Sequence, residues 1–358
     1  MRGRLAPPAA AVKVEPSLLP WIPPMSLDAE SMPLDPAAAA PVGGAADRRS
    51  HSIARLDGEA SRHHVRRPVW QFALEGRLAA WQRRIEPETF LQFAGFPRSG
   101  HSLIGALVDA HPNALVSHEL DAAGLFYKGL PLSRVMALCA AYAAKFERDG
   151  KWWNGFSYAV EDAPPKAAIR LVGDKKGEKL VRWCAADPGL LPRMRAEAGS
   201  IRLPVVFVLR HPLDNVATLT LAEGDEYDRL RIEQPREAFG AALRTAQAAG
   251  DVPATVSDAA IDNYARLCAG ATALRAQLPE GDRLDVTLEE AIAEPAAALA
   301  SLEAFLRLPP SAPWREAAAR LVRGGGRSRD KIAWRPEQRA RMRDIVRATP
   351  FLSHFEMD

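Results

Sequence analysis

Phe93-Ala94-Gly95-Phe96-Pro97-Arg98-Ser99-Gly100-His101-Ser102 is the stretch on which the reading of this chain turns. An apolar run, Phe90 to Ala94, leads into it and predicts a short buried strand. The pattern from Leu103 to Ala110 leaves it and predicts a helix. Gly95 and Gly100 stand five apart, the glycine spacing of G-x-x-x-x-G-K-S/T. Such a loop needs glycine because the backbone must curl until several N–H groups converge on one anion. The helix that follows adds its unpaired first amides and the positive end of its dipole. The dipole contributes only about 0.3–2 kcal/mol, so side chains must share the work. Here His101 holds the lysine position, the cation has moved to Arg98, and Ser102 keeps the hydroxyl. A glycine turn that merely joins strand to helix is the plainer alternative. An enzyme of Mg-ATP wants the lysine and an acidic residue on the metal. The lysine is missing, and no strand ending in such an aspartate stands out.

Outward from the loop, strand-like and helical patterns alternate. Leu115 to His118, Ala168 to Val172, Leu203 to Leu209 and Leu284 to Thr287 read as strands. Pro131 to Phe146, a stretch from about Leu213, Ser257 to Leu278, Ala291 to Leu306 and Glu337 to Arg347 read as helices. Apolar strands without alternation, each followed by a helix, predict an α/β fold. Its core is a doubly wound parallel sheet with helices on both faces.

The chain has 358 residues, enough for one large α/β domain with a tail. Its 47% hydrophobic and 25% charged residues exclude a wholly disordered chain. A net charge of +3 excludes a strongly basic nucleic-acid coat, while a local anion site stays open. Cys139, Cys184 and Cys268 are odd in number and lack C-x-x-C spacing. Neither a disulfide scaffold nor a cysteine zinc site is expected, and a reducing compartment is. No run of 18 apolar residues suggests a membrane span. The apolar start is broken by Pro7, Pro8, Pro16 and Pro20, so it makes a poor secretory signal. A cytoplasmic location is the expectation. Residues 1–50 hold nine of the 29 prolines together with alanine runs, which predicts a disordered, flexible tail. His63 and His64 adjoin Arg62, Arg66 and Arg67, and read as part of a solvated basic linker rather than a metal site. The expected division is 1–67 for tail and linker and 68–358 for the folded domain.

Gly95-x-Pro97-Arg98-Ser99-Gly100-x-Ser102-Leu103, then Leu107 to Pro112, then Glu119, resembles the first motif of the sulfotransferase family. Bacterial and tyrosylprotein sulfotransferases are similar in this stretch. That family moves a sulfuryl group from 3′-phosphoadenosine 5′-phosphosulfate (PAPS), and its loop typically reads PRSGTT or PKSGTT. Here His101 and Ser102 replace the two threonines. Val205 to Leu209, then Arg210-His211-Pro212 and Thr218, resembles the second motif, with threonine for the usual serine. Gly324 to Lys331, with Arg327 and Arg329, is similar to the basic loop that closes over the donor. The resemblance spans about residues 88–350. It implies a P-loop-like sulfotransferase fold. It also implies that Arg98, Ser99, Gly100, His101 and Ser102 bind the 5′-phosphosulfate, and that Arg210 and Thr218 bind the 3′-phosphate. Physically, an arginine at the carboxyl end of a parallel strand faces the ligand crevice, and its fork suits a phosphate. An Arg210 that simply pairs with Asp214 is the alternative.

Sulfuryl transfer needs a base at the acceptor, a cation where the leaving phosphate gains charge, and an in-line donor. No metal is required in principle. Glu119 lies 21 residues after Arg98, the spacing of the catalytic glutamate in tyrosylprotein sulfotransferases, which makes it the expected base. His118 is the second choice. Strand neighbours alternate, so His118 and Glu119 should face apart. Lys175 in Gly173-Asp174-Lys175-Lys176-Gly177 is the expected cation, with Lys176 beside it. The family often has Gly-Asp-Lys-Thr-Pro there. The aromatics of Lys151 to Tyr158 suit either an acceptor pocket or the core. The resemblance implies a hydroxyl- or amine-bearing acceptor, whether carbohydrate, small molecule or peptide. A P-loop phosphotransferase and a catalytically silent nucleotide-binding module are the competing readings.

Overall fold

A computed structural model describes residues 85, 87–153, 155–322, 324 and 326–357. The tail and basic linker expected over 1–67 lie outside the described residues. In chain order the elements are β1 Thr89–Gly95, α1 His101–Asp109, β2 Ala114–Ser117, α2 Ala122–Tyr127, α3 Leu132–Arg148, β3 Trp152–Trp153 and β4 Phe156–Ser157. Then come β5 Leu171–Asp174, α4 Gly177–Ala186, α5 Leu190–Ala198, β6 Val205–Leu209, α6 Pro212–Leu221, α7 Glu226–Glu233 and α8 Arg236–Ala249. The chain continues through α9 Asp258–Ala276, β7 Arg283–Thr287, α10 Leu288–Ala293, α11 Pro295–Phe305, α12 Ala312–Leu321 and α13 Pro336–Arg347.

Five parallel strands form one sheet in the order β2-β5-β1-β6-β7. β1 sits at its centre. Its neighbours along the chain send their sides to opposite cores. Phe90 and Ala94 join one apolar layer with Leu115, Val172 and Phe207. Leu91 and Phe93 join the other with Val116, Leu171 and Val206. The first layer is roofed by α3, α4, α6 and α9, the second by α1, α11 and α12. The sheet is therefore covered on both faces, and burial explains why its strands read as unbroken apolar runs. Each fully buried Phe or Leu contributes about 1.5–3 kcal/mol relative to an exposed one. β3 and β4 form a separate antiparallel pair outside the sheet.

The connection from β1 runs toward β5 and β2, while that from β6 runs toward β7. Chain direction across the sheet thus reverses between β1 and β6. This opens a crevice at their carboxyl ends, the usual ligand position in such sheets. Two boundaries differ from the sequence reading. The predicted strand over 168–172 lies at 171–174, so it ends in Asp174. The predicted helix over 291–306 is two helices broken at Glu294, because Pro295 starts a new one and lacks the N–H to continue the old. No helix among the described residues is long and apolar enough to cross a membrane. The three cysteines are buried and free.

Candidate functional site

The loop after β1 ends at Gly100, whose φ of 103° is left-handed and whose missing side chain leaves room for Leu288. Arg98 is also left-handed, at φ 66°. That turn costs about 1–3 kcal/mol for a non-glycine residue. His101 opens α1, and its ring turns back into the strand end rather than outward. Nε2 is 3.1 Å from the Ala94 carbonyl, which can only accept, so Nε2 carries the proton. Nδ1 then accepts from Ser99 Oγ at 3.1 Å. Burial pushes the His101 pKa down, so the ring is neutral. Ser99 and His101 thus spend their side chains on the loop's own shape. The first amides of α1 have no partner within the helix, and such amides suit an anion.

The ring of His101 also fills the space above α4. A Cβ on Gly177 would stand 2.3 Å from His101 Nε2. Gly177→Ala should therefore cost about 1–3 kcal/mol of stability, the usual cost of overpacking. The cost should shrink when His101→Thr is made as well, a non-additivity expected of touching residues. Thermal or urea unfolding of the two single variants and the double one checks this.

Ser102, Glu119, Lys175 and Lys176 form a continuous chain of contacts. Lys175 Nζ donates to Ser102 Oγ at 2.9 Å and to Glu119 Oε1 at 2.8 Å. Lys176 Nζ donates to Glu119 Oε2 at 2.8 Å. Both lysines hold the carboxylate, and Lys175 is the one that also touches the loop. Its stem passes under α1 where Gly105 has no side chain, since a Cβ there would sit 2.6 Å from Lys175 Cγ. Burial opposes charge on Glu119, but the Lys175 and Lys176 ammoniums win and hold it far below the usual carboxylate range. Burial lowers Lys175 against the pull of Glu119. Burial opposes Lys176 too, yet Glu119 and Glu178 raise it above its ordinary value. The Tyr158 phenol lies beside Ser102, and burial pushes its pKa up.

His118 and Glu119 do face apart, although not by strand alternation, since β2 ends at Ser117. Glu119 takes a left-handed φ of 67° and turns toward the lysines. The His118 ring packs inward, stacked on Phe146 at 4.5 Å with Trp153 at its edge. Burial holds it well below its ordinary pKa, and its Nε2 has no partner. Trp153 and Tyr158 pack around this ring, whereas Trp152 is exposed.

On the other side of the loop stands Arg210, just past β6. It donates 3.0 Å bonds to the Arg98 carbonyl, Thr218 Oγ1 and Ser328 Oγ. The expected alternative partner, Asp214, instead accepts from the Arg329 backbone at 2.8 Å and lies 3.6 Å from its guanidinium. Arg329 Nε and one terminal nitrogen are buried without any hydrogen-bond partner. Asp214 balances the charge, and the donors left without hydrogen bonds suit a further acceptor. Arg327 is exposed and pairs with Asp330 at 3.2 Å. Residues 328–331 form a short 3₁₀ turn against α6.

Three features escaped the sequence reading. Asp228 of α7 grips the Arg98 guanidinium through both oxygens, at 3.1 and 2.5 Å. No local spacing signals a pair 130 residues apart. Ser328 joins Arg210 from the basic loop. Asp174 does end a strand, against the expectation that no aspartate would. Its oxygens, however, accept from Ser117 Oγ, Leu120 N and Ala122 N. Among the described residues no group of three or more His, Cys, Asp or Glu side chains is arranged to hold a metal ion.

No family model matches the sequence, and no curated protein does. Solved structures to which the chain is similar include three sulfotransferases. For STF9 from Mycobacterium avium the identity is 10%, with 85% of this chain and 86% of that one covered and a TM-score of 0.43. For mouse SULT7A1, complexed with PAP, it is 11%, with 76% and 90% covered and a TM-score of 0.36. For the sulfotransferase from Alicyclobacillus acidocaldarius it is 15%, with 76% and 97% covered and a TM-score of 0.37. At such identities and scores, the functional reading rests on the site's own residues.

Proposed function

We propose that this chain is a PAPS-dependent sulfotransferase acting on a hydroxyl or amine acceptor. The observation that carries the reading is a single glycine loop flanked by two different devices. On one side the Ser102–Lys175–Glu119 chain brings a carboxylate and a cation together. On the other, Arg210 ties Thr218, Ser328 and the loop carbonyl into a second cationic position. Two anion positions across one loop suit a donor that bears a phosphosulfate and a separate 3′-phosphate.

The Arg329 nitrogens that make no hydrogen bond fit such a donor, since guanidinium donors with unused N–H groups favour an anion. In this reading Arg98, Ser102 and the amides of Gly100 and His101 hold the 5′ end, with Ser99 shaping the loop. Arg210, Thr218 and Arg329 hold the 3′-phosphate, and Arg327 lies at the solvent rim. The donor supplies the sulfuryl group. Glu119 receives the acceptor's proton, and Lys175 holds positive charge where the leaving oxygen becomes negative. Glu119 starts with both oxygens on lysines. A bound donor competes for those ammoniums, which raises the basicity of Glu119 when it is needed. The phosphotransferase reading asks for a cation where His101 stands, and that ring is neutral and turned inward.

Calorimetric titration with 3′-phosphoadenosine 5′-phosphate (PAP), against ATP with Mg²⁺, tests this without an acceptor. Micromolar binding of PAP without metal, with ATP much weaker, is expected. A preference for Mg-ATP, or no binding by folded protein, would overturn the reading. Turnover can be followed as PAP released from PAPS, in water and with alcohols, phenols, sugars and amines. Arg210→Ala should weaken PAP by about 10–100-fold, as expected when a charged hydrogen-bonding partner is removed. It should barely change binding of the analogue without the 3′-phosphate. Equal loss for both would move the 3′-phosphate elsewhere.

A further inference from the structure

The turn between β2 and α2 carries Glu119 in a conformation that side chains avoid. Glu119 has φ 67° and Asp121 has φ 66°. Each costs about 1–3 kcal/mol and persists only where the surroundings over-determine it. Asp174 supplies that restraint. It ends β5, directly across from Ser117 in the parallel register. One carboxylate oxygen accepts from Ser117 Oγ at 2.7 Å and from Leu120 N at 3.0 Å, and the other accepts from Ala122 N at 2.8 Å. The carboxylate therefore bridges the chain before Glu119 to the chain after it. Asp174 is 2% exposed, so water does not compete for these bonds. The next residue completes the arrangement. Lys175 N donates to the Ser117 carbonyl at 3.0 Å, and its side chain grips Glu119. Asp121 adds a second anchor by accepting from Gly124 N and Trp183 Nε1, both at 3.1 Å.

We propose that Asp174 is a positioning residue whose carboxylate locks the 118–121 turn and so aims Glu119 at Lys175 and Lys176. The proposal rests on Glu119 acting in the transfer. Burial raises the Asp174 pKa to about 6, so it is ionised at neutral pH and can accept all three bonds.

Asp174→Asn tests it, because the amide keeps one accepting oxygen and turns a donor toward a backbone N–H. Hydrogen exchange of residues 118–122 should quicken at least about tenfold, while exchange in β1 and β6 stays as in the parent. PAP should bind within about threefold, since Asp174 touches none of the loop. PAP release from PAPS in water should fall about 10–100-fold, the scale of a misplaced reacting group. In a Glu119→Gln background the same change should have no further effect on turnover. A residue that only stabilises the fold would slow both backgrounds. Ser117→Ala removes one of the three bonds and keeps the carboxylate. It should shift exchange and turnover the same way by a few-fold, and it decides the matter if Asp174→Asn does not fold. Unchanged exchange at 118–122, or quickened exchange with undiminished turnover, would overturn the proposal. If parent protein neither binds PAP nor releases it, the sulfotransferase reading fails instead, and exchange still reports whether Asp174 holds the turn.

Discussion

Glu119→Gln is expected to lower turnover by about 10²–10⁴-fold, the usual cost of losing a general base, while PAP binding changes little. The amide keeps the shape and loses the ability to take a proton. Glu119 makes no contact with the Arg210 cluster, so the second anion position should be untouched. Two lysines would lose their shared counter-charge, and Lys175 and Lys176 would then repel each other. That repulsion should draw a bound anion in slightly tighter, so donor affinity should hold or rise. Calorimetry with PAP, beside PAP release from PAPS, separates the two effects. Turnover surviving intact would pass the role of base to His118. That residue is poorly prepared for it, buried among Phe146, Trp153 and Tyr158.

Lys175→Ala should cost about 10²–10³-fold in turnover, as for removal of one preorganised group that meets developing charge. Lys175→Arg should restore little. The side chain is 2% exposed and runs through the gap left by Gly105, which a guanidinium does not fit. Lys176→Ala should cost much less, because its ammonium is more exposed and does not reach Ser102. If the two alanine variants lost equal activity, the cation would have to be shared between them. A second readout is the acid limb of the pH profile. Without Lys175 the Glu119 carboxylate loses its strongest cationic partner, so its pKa rises toward the ordinary range. Activity that remains should then decline at a higher pH than in the parent.

Much of this arrangement could be read along the chain. The loop, Arg210, Glu119 and Lys175 lie next to strand ends, and strand ends announce themselves through apolar runs and the residues that follow. Periodicity also located the sheet, since buried parallel strands cannot alternate. What stayed hidden was whatever depends on distant pairing or on one bond of backbone geometry. Asp228 meets Arg98 across 130 residues, and only folding brings α7 over the loop. The end of β5 was read two residues short, because Gly173 and Asp174 carry no apolar side chain although both are buried in the strand. That slip hid the bond pattern of Asp174. His101 showed itself as an odd residue, but nothing in its neighbourhood could say that its ring would turn inward.

That inward ring also couples two positions that look unrelated in the sequence. Histidine at 101 and glycine at 177 occupy one space. With the ring placed as it is, even a methyl group at 177 meets the imidazole, whereas a smaller residue at 101 frees that space. A library randomised at both positions and selected for folded protein should therefore return side chains at 177 chiefly where the imidazole at 101 has been lost.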